Sequence, residues 1–345
     1  MKGRPRADFI IALLAVLASF AIYNVNLRPI NSGDTFPSSY LPFDLLRYHT
    51  LYFNPMADLV KQGHTTDCYW VTPGKNRRLV SLYPVVTPVA ITPLYLPMAL
   101  DLARRGWPED RLQSDVRIME KLCASLIAAL SAGVMCLALL RRVDARTAVL
   151  LTAAYAFGTN TWVISSQALW QHGMGELLLA ASLLLATGPM TARRAFALGA
   201  VCALAPCNRP PDALLAAAPA LWALWTHRRF APWLVAGALL GAAPEVLYNV
   251  IATGHLVGAY ALEGDASFFS HNPATGLAGL LFSPTHGLFV FTPFLLFLPF
   301  ALRRAFGEPG TGRLAVFISA AMGAQLLVYS LANWAGGASW GPRWL

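Results

Sequence analysis

Charge is what this chain has least of. Only 12% of its 345 residues are Asp, Glu, Lys or Arg, against roughly 25% in a soluble domain. That deficit leaves too little polar surface to cover a soluble globule of this size. With 56% hydrophobic residues and a mean hydropathy of +0.51, the chain reads as a polytopic membrane protein whose apolar surface is covered by lipid. Motifs are missing too. There is no Gly-x-x-x-x-Gly-Lys phosphate loop, no Gly-x-Ser-x-Gly elbow and no His-Glu-x-x-His helix, so cytosolic nucleotide chemistry is unsupported. Cysteine is scarce, with five residues and no pair at metal-site or redox spacing. Cys123, Cys136, Cys202 and Cys207 lie in or beside apolar stretches and read as small packing residues; no structural disulfide is expected. No internal repeat or low-complexity tract is present. The net charge of +9 does not point to nucleic acid, because much of it sits in short loops where membrane orientation explains it. Contact with anionic lipid head groups is a secondary reading of the same excess.

What the chain does have is sidedness. Arginine pairs recur after apolar stretches: Arg141-Arg142, Arg193-Arg194, Arg228-Arg229 and Arg303-Arg304. Basic loops mark the cytoplasmic side. The loops between them are then outside, and they hold Asp34, Gln171-His172, Asn208-Arg209, the 253–276 segment with Glu263, Asp265 and His271, and Trp340-Gly-Pro-Arg343-Trp. The amino-terminal stretch Phe9–Tyr23, behind Lys2, Arg4 and Arg6, reads as an uncleaved signal-anchor helix. A polar outer loop over about 27–82 follows, with Pro29, Pro37, Pro42, Pro55 and Pro73 making turns and short helices. Clear spans are expected at about 118–140, 148–165, 173–188, 195–207, 211–226, 232–252, 288–302 and 314–332. The apolar 84–100 segment carries Pro84, Pro88, Pro93 and Pro97. If it crossed, all later arginine pairs would land outside, so it is expected to dip into the membrane or lie on its outer surface. The Gly276–Gly287 stretch, interrupted by Ser283-Pro284-Thr285-His286, is expected to be a re-entrant or interfacial turn. The expected fold class is therefore an all-α polytopic integral membrane protein, one transmembrane domain over 1–345 with a large first extracytoplasmic loop.

Several outer residues are suited to chemistry. Asp34, in Asn31-Ser-Gly-Asp34-Thr-Phe-Pro37, is held close to the bilayer and could deprotonate an acceptor hydroxyl; it would also suit a turn cap. Asp44 is a helix cap or a second carboxylate. His172, after Trp170 and Gln171, could bind phosphate or act as an acid, or be a polar group in an aromatic belt. Glu176 is an ionisable group inside a span, a site hypothesis by default. Arg209 offers the paired donors that grip phosphate, although Asp212 could neutralise it. Arg343, flanked by Trp340 and Trp344, could hold a phosphate or stack on a sugar, or anchor the interface.

Together these residues resemble the GT-C superfamily of polytopic glycosyltransferases. The resemblance rests on the layout and on Gly33-Asp34-Thr35, Leu82-Tyr-Pro84-Val-Val-Thr-Pro88, Ala168-Leu-Trp-Gln-His-Gly173, Gly279-Leu-Leu-Phe-Ser-Pro284-Thr-His-Gly-Leu and Ser339-Trp-Gly-Pro-Arg-Trp344. These are short segments spread over almost the whole chain. The resemblance implies a GT-C-like helical bundle in a bacterial inner membrane, with its site facing the periplasm. It implies transfer of a sugar from a polyprenyl-phosphate donor to a lipid, glycan or protein acceptor, with no cofactor. Asp34 matches the catalytic acidic residue of the first outer loop; where many members carry two adjacent acids, Asp34 stands between Gly33 and Thr35. The expected substrate-binding set is Gln171, His172, Arg209, Glu263, His286, Trp340 and Arg343. The family usually continues past the point where this chain ends, so a fragment, or completion by a partner, is expected. The competing readings are a transporter or flippase of an amphiphilic substrate and a non-catalytic assembly subunit.

Overall fold

The computed structural model describes residues 5–28, 30, 32–56, 68–262 and 269–335; Glu263, Trp340 and Arg343 lie outside them. The fold is almost entirely helical, as an apolar chain in lipid must be if its backbone groups are to bond internally. In chain order the main helices are α1 (Pro5–Tyr23), α2 (Phe36–Tyr48), α3 (Val86–Arg104), α4 (Glu109–Leu140), α5 (Ala145–Gly158), α6 (Gln171–Ala186), α7 (Ala192–Asn208), α8 (Ala213–Thr226), α9 (Ala231–Ala252), α10 (Ala259–Leu262), α11 (Pro273–Phe282), α12 (Leu288–Phe291), α13 (Leu298–Phe306) and α14 (Gly312–Ser330). Strands β1 (Val71–Pro73) and β2 (Leu79–Ser81) form a small antiparallel ribbon in the first loop. Helix starts follow local chemistry. Asp144 caps α5 by accepting from the Arg146 and Thr147 amides at 3.0 and 3.2 Å, and Asn272 caps α11 with Pro273 in its first turn.

Among the described residues five helices are long and apolar enough to cross a bilayer: α1, α3, α4, α9 with the turn before it, and α14. The chain is an all-α membrane protein. Shorter helices run between the same two ends. Arg141 donates to the Leu184 carbonyl and Arg142 to that of Thr187 at 2.9 Å, so α4 and α6 finish together at an arginine end. Arg194 packs against Gly188 there, which starts α7 at that end. At the opposite end the Asn208 amide donates to the Gln171 carbonyl at 2.9 Å, joining the finish of α7 to the start of α6. Helices α7 and α9 run parallel in close contact. A Cβ on Gly199, Gly237 or Gly241 would strike the backbone of Leu234, Phe196 or Ala200, the small-residue packing by which membrane helices approach.

The proline-rich helix α3 begins and ends at the end opposite the arginines. At its start the Val85 amide donates to Glu245 at 3.2 Å and Thr87 to Asn208 at 2.6 Å. At its finish Trp107 leads directly into α4, whose far end carries Arg141. Helix α4 is 32 residues, roughly 48 Å at 1.5 Å per residue, and outruns a hydrocarbon layer of about 30 Å. Its protruding first turns bury Leu112 and Val116 in one core with Leu102 and Tyr95 of α3 and Phe43 of α2. Val89, Pro93, Leu94, Leu96, Pro97 and Leu100 all face outward on α3, so the carbonyls that Pro93 and Pro97 leave without helical partners lie on an open face. Both ends of α3 thus meet partners at the end of the bundle opposite Arg141 and Arg142.

Two expected spans differ from their sequence boundaries. The 148–165 stretch is a helix that stops at Gly158 and a separate π-helical turn at Thr161–Ser165. The 288–302 stretch is broken into α12, a 3-10 turn at Pro293–Phe297 and α13. In the second case Pro293 and Pro299 interrupt the hydrogen-bond ladder. The Gly276–Gly287 region is ten-residue α11 followed by a loop, short for a crossing.

Candidate functional site

Asp34 lies in a 3-10 turn, Gly33–Thr35, that runs into the start of α2. The Thr35 amide and hydroxyl both donate to the Ser32 carbonyl, at 3.1 and 2.9 Å, and Pro37 stiffens the first turn of the helix. The Asp34 carboxylate does not cap that helix. Its Oδ1 accepts hydrogen bonds from two phenols, Tyr69 at 2.8 Å and Tyr83 at 2.7 Å. Gly33 is part of the same device, because a Cβ there would come within 2.5 Å of the Tyr69 hydroxyl. Burial, and then the negative charge of Asp34, push the Tyr83 phenol above its usual range, so it remains a donor.

The start of α10 packs against this centre. The Tyr260 amide donates to the Leu82 carbonyl at 3.0 Å, and its ring stacks on Tyr83 with centroids 5.7 Å apart. Tyr329, near the end of α14, lies within electrostatic reach of Tyr260, Arg209 and Asp212.

Arg209 is 8% exposed and its Nη1 pairs with Asp212 at 2.5 Å. The neutralisation considered from sequence is thus present. The Asp212 carboxylate rests on Gly175, where a side chain would collide with it. Glu176 is next in line, within reach of the charges of both Arg209 and Asp212. Its Oε1 accepts from Ser165 at 2.7 Å, and Oε2 makes no hydrogen bond. It lines a cavity of about 340 Å³ with Tyr155, Thr161, Thr292 and Phe294, beside the π-helical turn. Such turns occur frequently at functional sites.

The other candidates divide. Gln171 and half-buried His172 stand in the first turn of α6, next to Asn208. Asn208 itself is a fully buried bridge between Thr87 and Gln171. His286 is apart from this cluster: Nδ1 meets the Thr285 hydroxyl at 2.8 Å, and its ring lies edge-on to Trp334 at 6.3 Å. Asp44 neither caps a helix nor faces the site. It is 0% exposed inside α2, with no hydrogen bond to either oxygen, and burial raises its carboxyl to about 8 despite the counteracting Arg47 charge. Among the described residues no three His, Cys, Asp or Glu gather as a metal site.

Sequence reasoning missed Tyr69, Tyr260 and the buried acids Glu120 and Glu245 as members of this region. Tyr83 was legible only as part of the Leu82-Tyr-Pro84 segment. Glu120 accepts from the Leu169 amide at 3.4 Å, and Glu245 from that of Val85. Comparison with known families, with curated proteins and with solved structures returned no match to this chain.

Proposed function

We propose that this protein is a membrane glycosyltransferase of GT-C type that moves a sugar from a polyprenyl-phosphate donor to an acceptor at the end of the bundle opposite the arginine pairs. The observation that carries the reading is the Asp34 carboxylate, fixed by hydrogen bonds from Tyr69 and Tyr83. In this mechanism Asp34 takes the proton of the acceptor hydroxyl. The oxygen attacks the anomeric carbon from the face opposite the leaving group, the carbon–oxygen bond to phosphate breaks, and polyprenyl phosphate leaves with the electron pair. The anomeric configuration inverts. Arg209 and, by the resemblance, Arg343 stabilise the leaving phosphate, as fixed donors aimed at developing charge do.

Depth supports an enzyme over a carrier. Glu176 lies five residues inside the start of α6 and Glu245 seven inside the end of α9, about 7 and 10 Å. Both stay in the half of the bundle that holds Asp34. One observation favours transport of an amphiphile instead: Glu176, an acid within a span, faces a cavity in the bundle wall. Purified protein in nanodiscs, given a radiolabelled polyprenyl-phosphate sugar and candidate acceptors, separates the two. Release of polyprenyl phosphate with sugar on the acceptor supports transfer. Movement of intact donor across proteoliposomes with no bond broken rejects it.

A further inference from the structure

Another cavity lies elsewhere in the bundle. About 570 Å³ opens between the end of α1 and one face of α4, lined by Asn24, Gln113, Ser114, Arg117 and Lys121, with Asp110 at its far end. The face it uses is turned away from Leu112, Val116, Met119 and Cys123, which pack into the core shared with α2 and α3.

Lys121 is the unusual member. It is 3% exposed, and its ammonium donates to the Gln167 side-chain oxygen at 2.7 Å and the Ser166 carbonyl at 3.2 Å. Both partners are neutral, and no described carboxylate lies within salt-bridge distance of it. An ammonium has three donors, so one is left for the cavity. A buried charge without a counter-ion is costly, and an anion in the cavity would relieve that cost. Arg117 stands one turn above and is exposed; Glu120, an acid within its electrostatic reach, is engaged with the Leu169 amide. Asp110 is eleven residues from Lys121, roughly 16 Å along the helix, too distant to neutralise it. Apolar Leu27, Ile118 and Leu122 flank the opening and are themselves exposed.

We infer that this cavity binds the phosphate of an anionic glycerophospholipid, gripped by Arg117 and Lys121, with its acyl chains against Leu27, Ile118 and Leu122. The depth fits a head group. Ser125, one turn below Lys121, meets Asn24, where α1 ends and the hydrocarbon layer gives way to the interface. Guanidinium and ammonium together suit a phosphodiester, and the apolar rim suits a lipid rather than a free anion.

The test is lipid titration of the full chain in detergent, read by native mass spectrometry, with phosphatidylglycerol and phosphatidylcholine as probes. Wild type should hold phosphatidylglycerol at least about tenfold more tightly, and Arg117→Ala should remove about tenfold of that, as loss of one charged hydrogen bond implies. Arg117 is exposed, so this variant should fold; Lys121→Met is a second variant, expected to bind no more tightly than Arg117→Ala. Equal retention of the two lipids, or unchanged binding by Arg117→Ala, overturns the inference. Glycerol 3-phosphate competing as well as the lipid makes this a free-phosphate site, and loss of polyprenyl-phosphate binding alone in Arg117→Ala makes it the donor's; either also overturns it. The outcome is independent of whether Asp34 catalyses transfer.

Discussion

Replacing Asp34 by Asn separates catalysis from structure at this centre with unusual cleanness. Both phenols donate to the same carboxylate oxygen, Oδ1. An asparagine carbonyl can accept both bonds, so the turn, the tyrosines and the stacked Tyr260 should stay in place. What disappears is the negative charge and the basic oxygen. General-base catalysis is worth about 10²–10⁴-fold, or roughly 3–5 kcal/mol in the barrier at about 1.4 kcal/mol per tenfold. Asp34→Asn should lose turnover by that factor, while donor affinity and thermal unfolding stay close to wild type. Asp34→Ala is the contrast. It deprives Tyr69 and half-buried Tyr83 of their acceptor, and an unsatisfied hydroxyl costs about 1–3 kcal/mol, so this variant should lose stability as well. The assay is single-turnover transfer from a radiolabelled polyprenyl-phosphate sugar in nanodiscs, paired with tryptophan-fluorescence melting. Turnover of Asp34→Asn within threefold of wild type would refute the role of Asp34 as base. Destabilisation equal to that of Asp34→Ala would refute the account of the shared oxygen.

Other consequences are open to measurement. A cysteine placed at Arg229 should be shielded from an impermeant thiol reagent in intact cells while one at Ser270 reacts, because the arginine pairs share one end and Ser270 lies beyond α9 toward the other; the reverse labelling would invert the site assignment. Asp44, with its carboxyl raised to about 8 by burial, stays protonated in the fold where the unfolded chain has already lost that proton. Its contribution is complete below about pH 4 and is lost as pH rises to about 8, on the order of 5 kcal/mol across the window. Melting curves should therefore show Asp44→Asn gaining stability over wild type as pH rises from 6 to 9, and parallel pH profiles would remove Asp44 as the cause. Gly237→Leu should force α7 and α9 apart, since its Cβ already meets the Phe196 backbone, at a cost above about 3 kcal/mol; an unchanged melting point would show that the two helices do not pack this way.

The membrane class, the approximate spans and the common end of the arginine pairs were legible in the residues. Each is a local quantity: a window of apolar side chains has a favourable transfer free energy whatever its neighbours are. The expectation that 84–100 does not cross rests on the parity of the arginine pairs. What the tertiary structure adds is that both ends of α3 meet partners at one end of the bundle, Glu245 and Asn208 at its start and the first turns of α4 at its finish. The breaks at Gly158 and Pro293 were missed because apolar content continues across them while the hydrogen-bond ladder does not. The chain alone nominated Asp34, Arg209 and Glu176 from residue type and position. It did not show that Tyr69 and Tyr83, 35 and 49 residues further on, share one oxygen of Asp34, or that Lys121 is buried facing only neutral partners. Those pairings are fixed by contacts between distant segments, and neither hydropathy nor spacing encodes which tyrosine or carbonyl a given charge will meet.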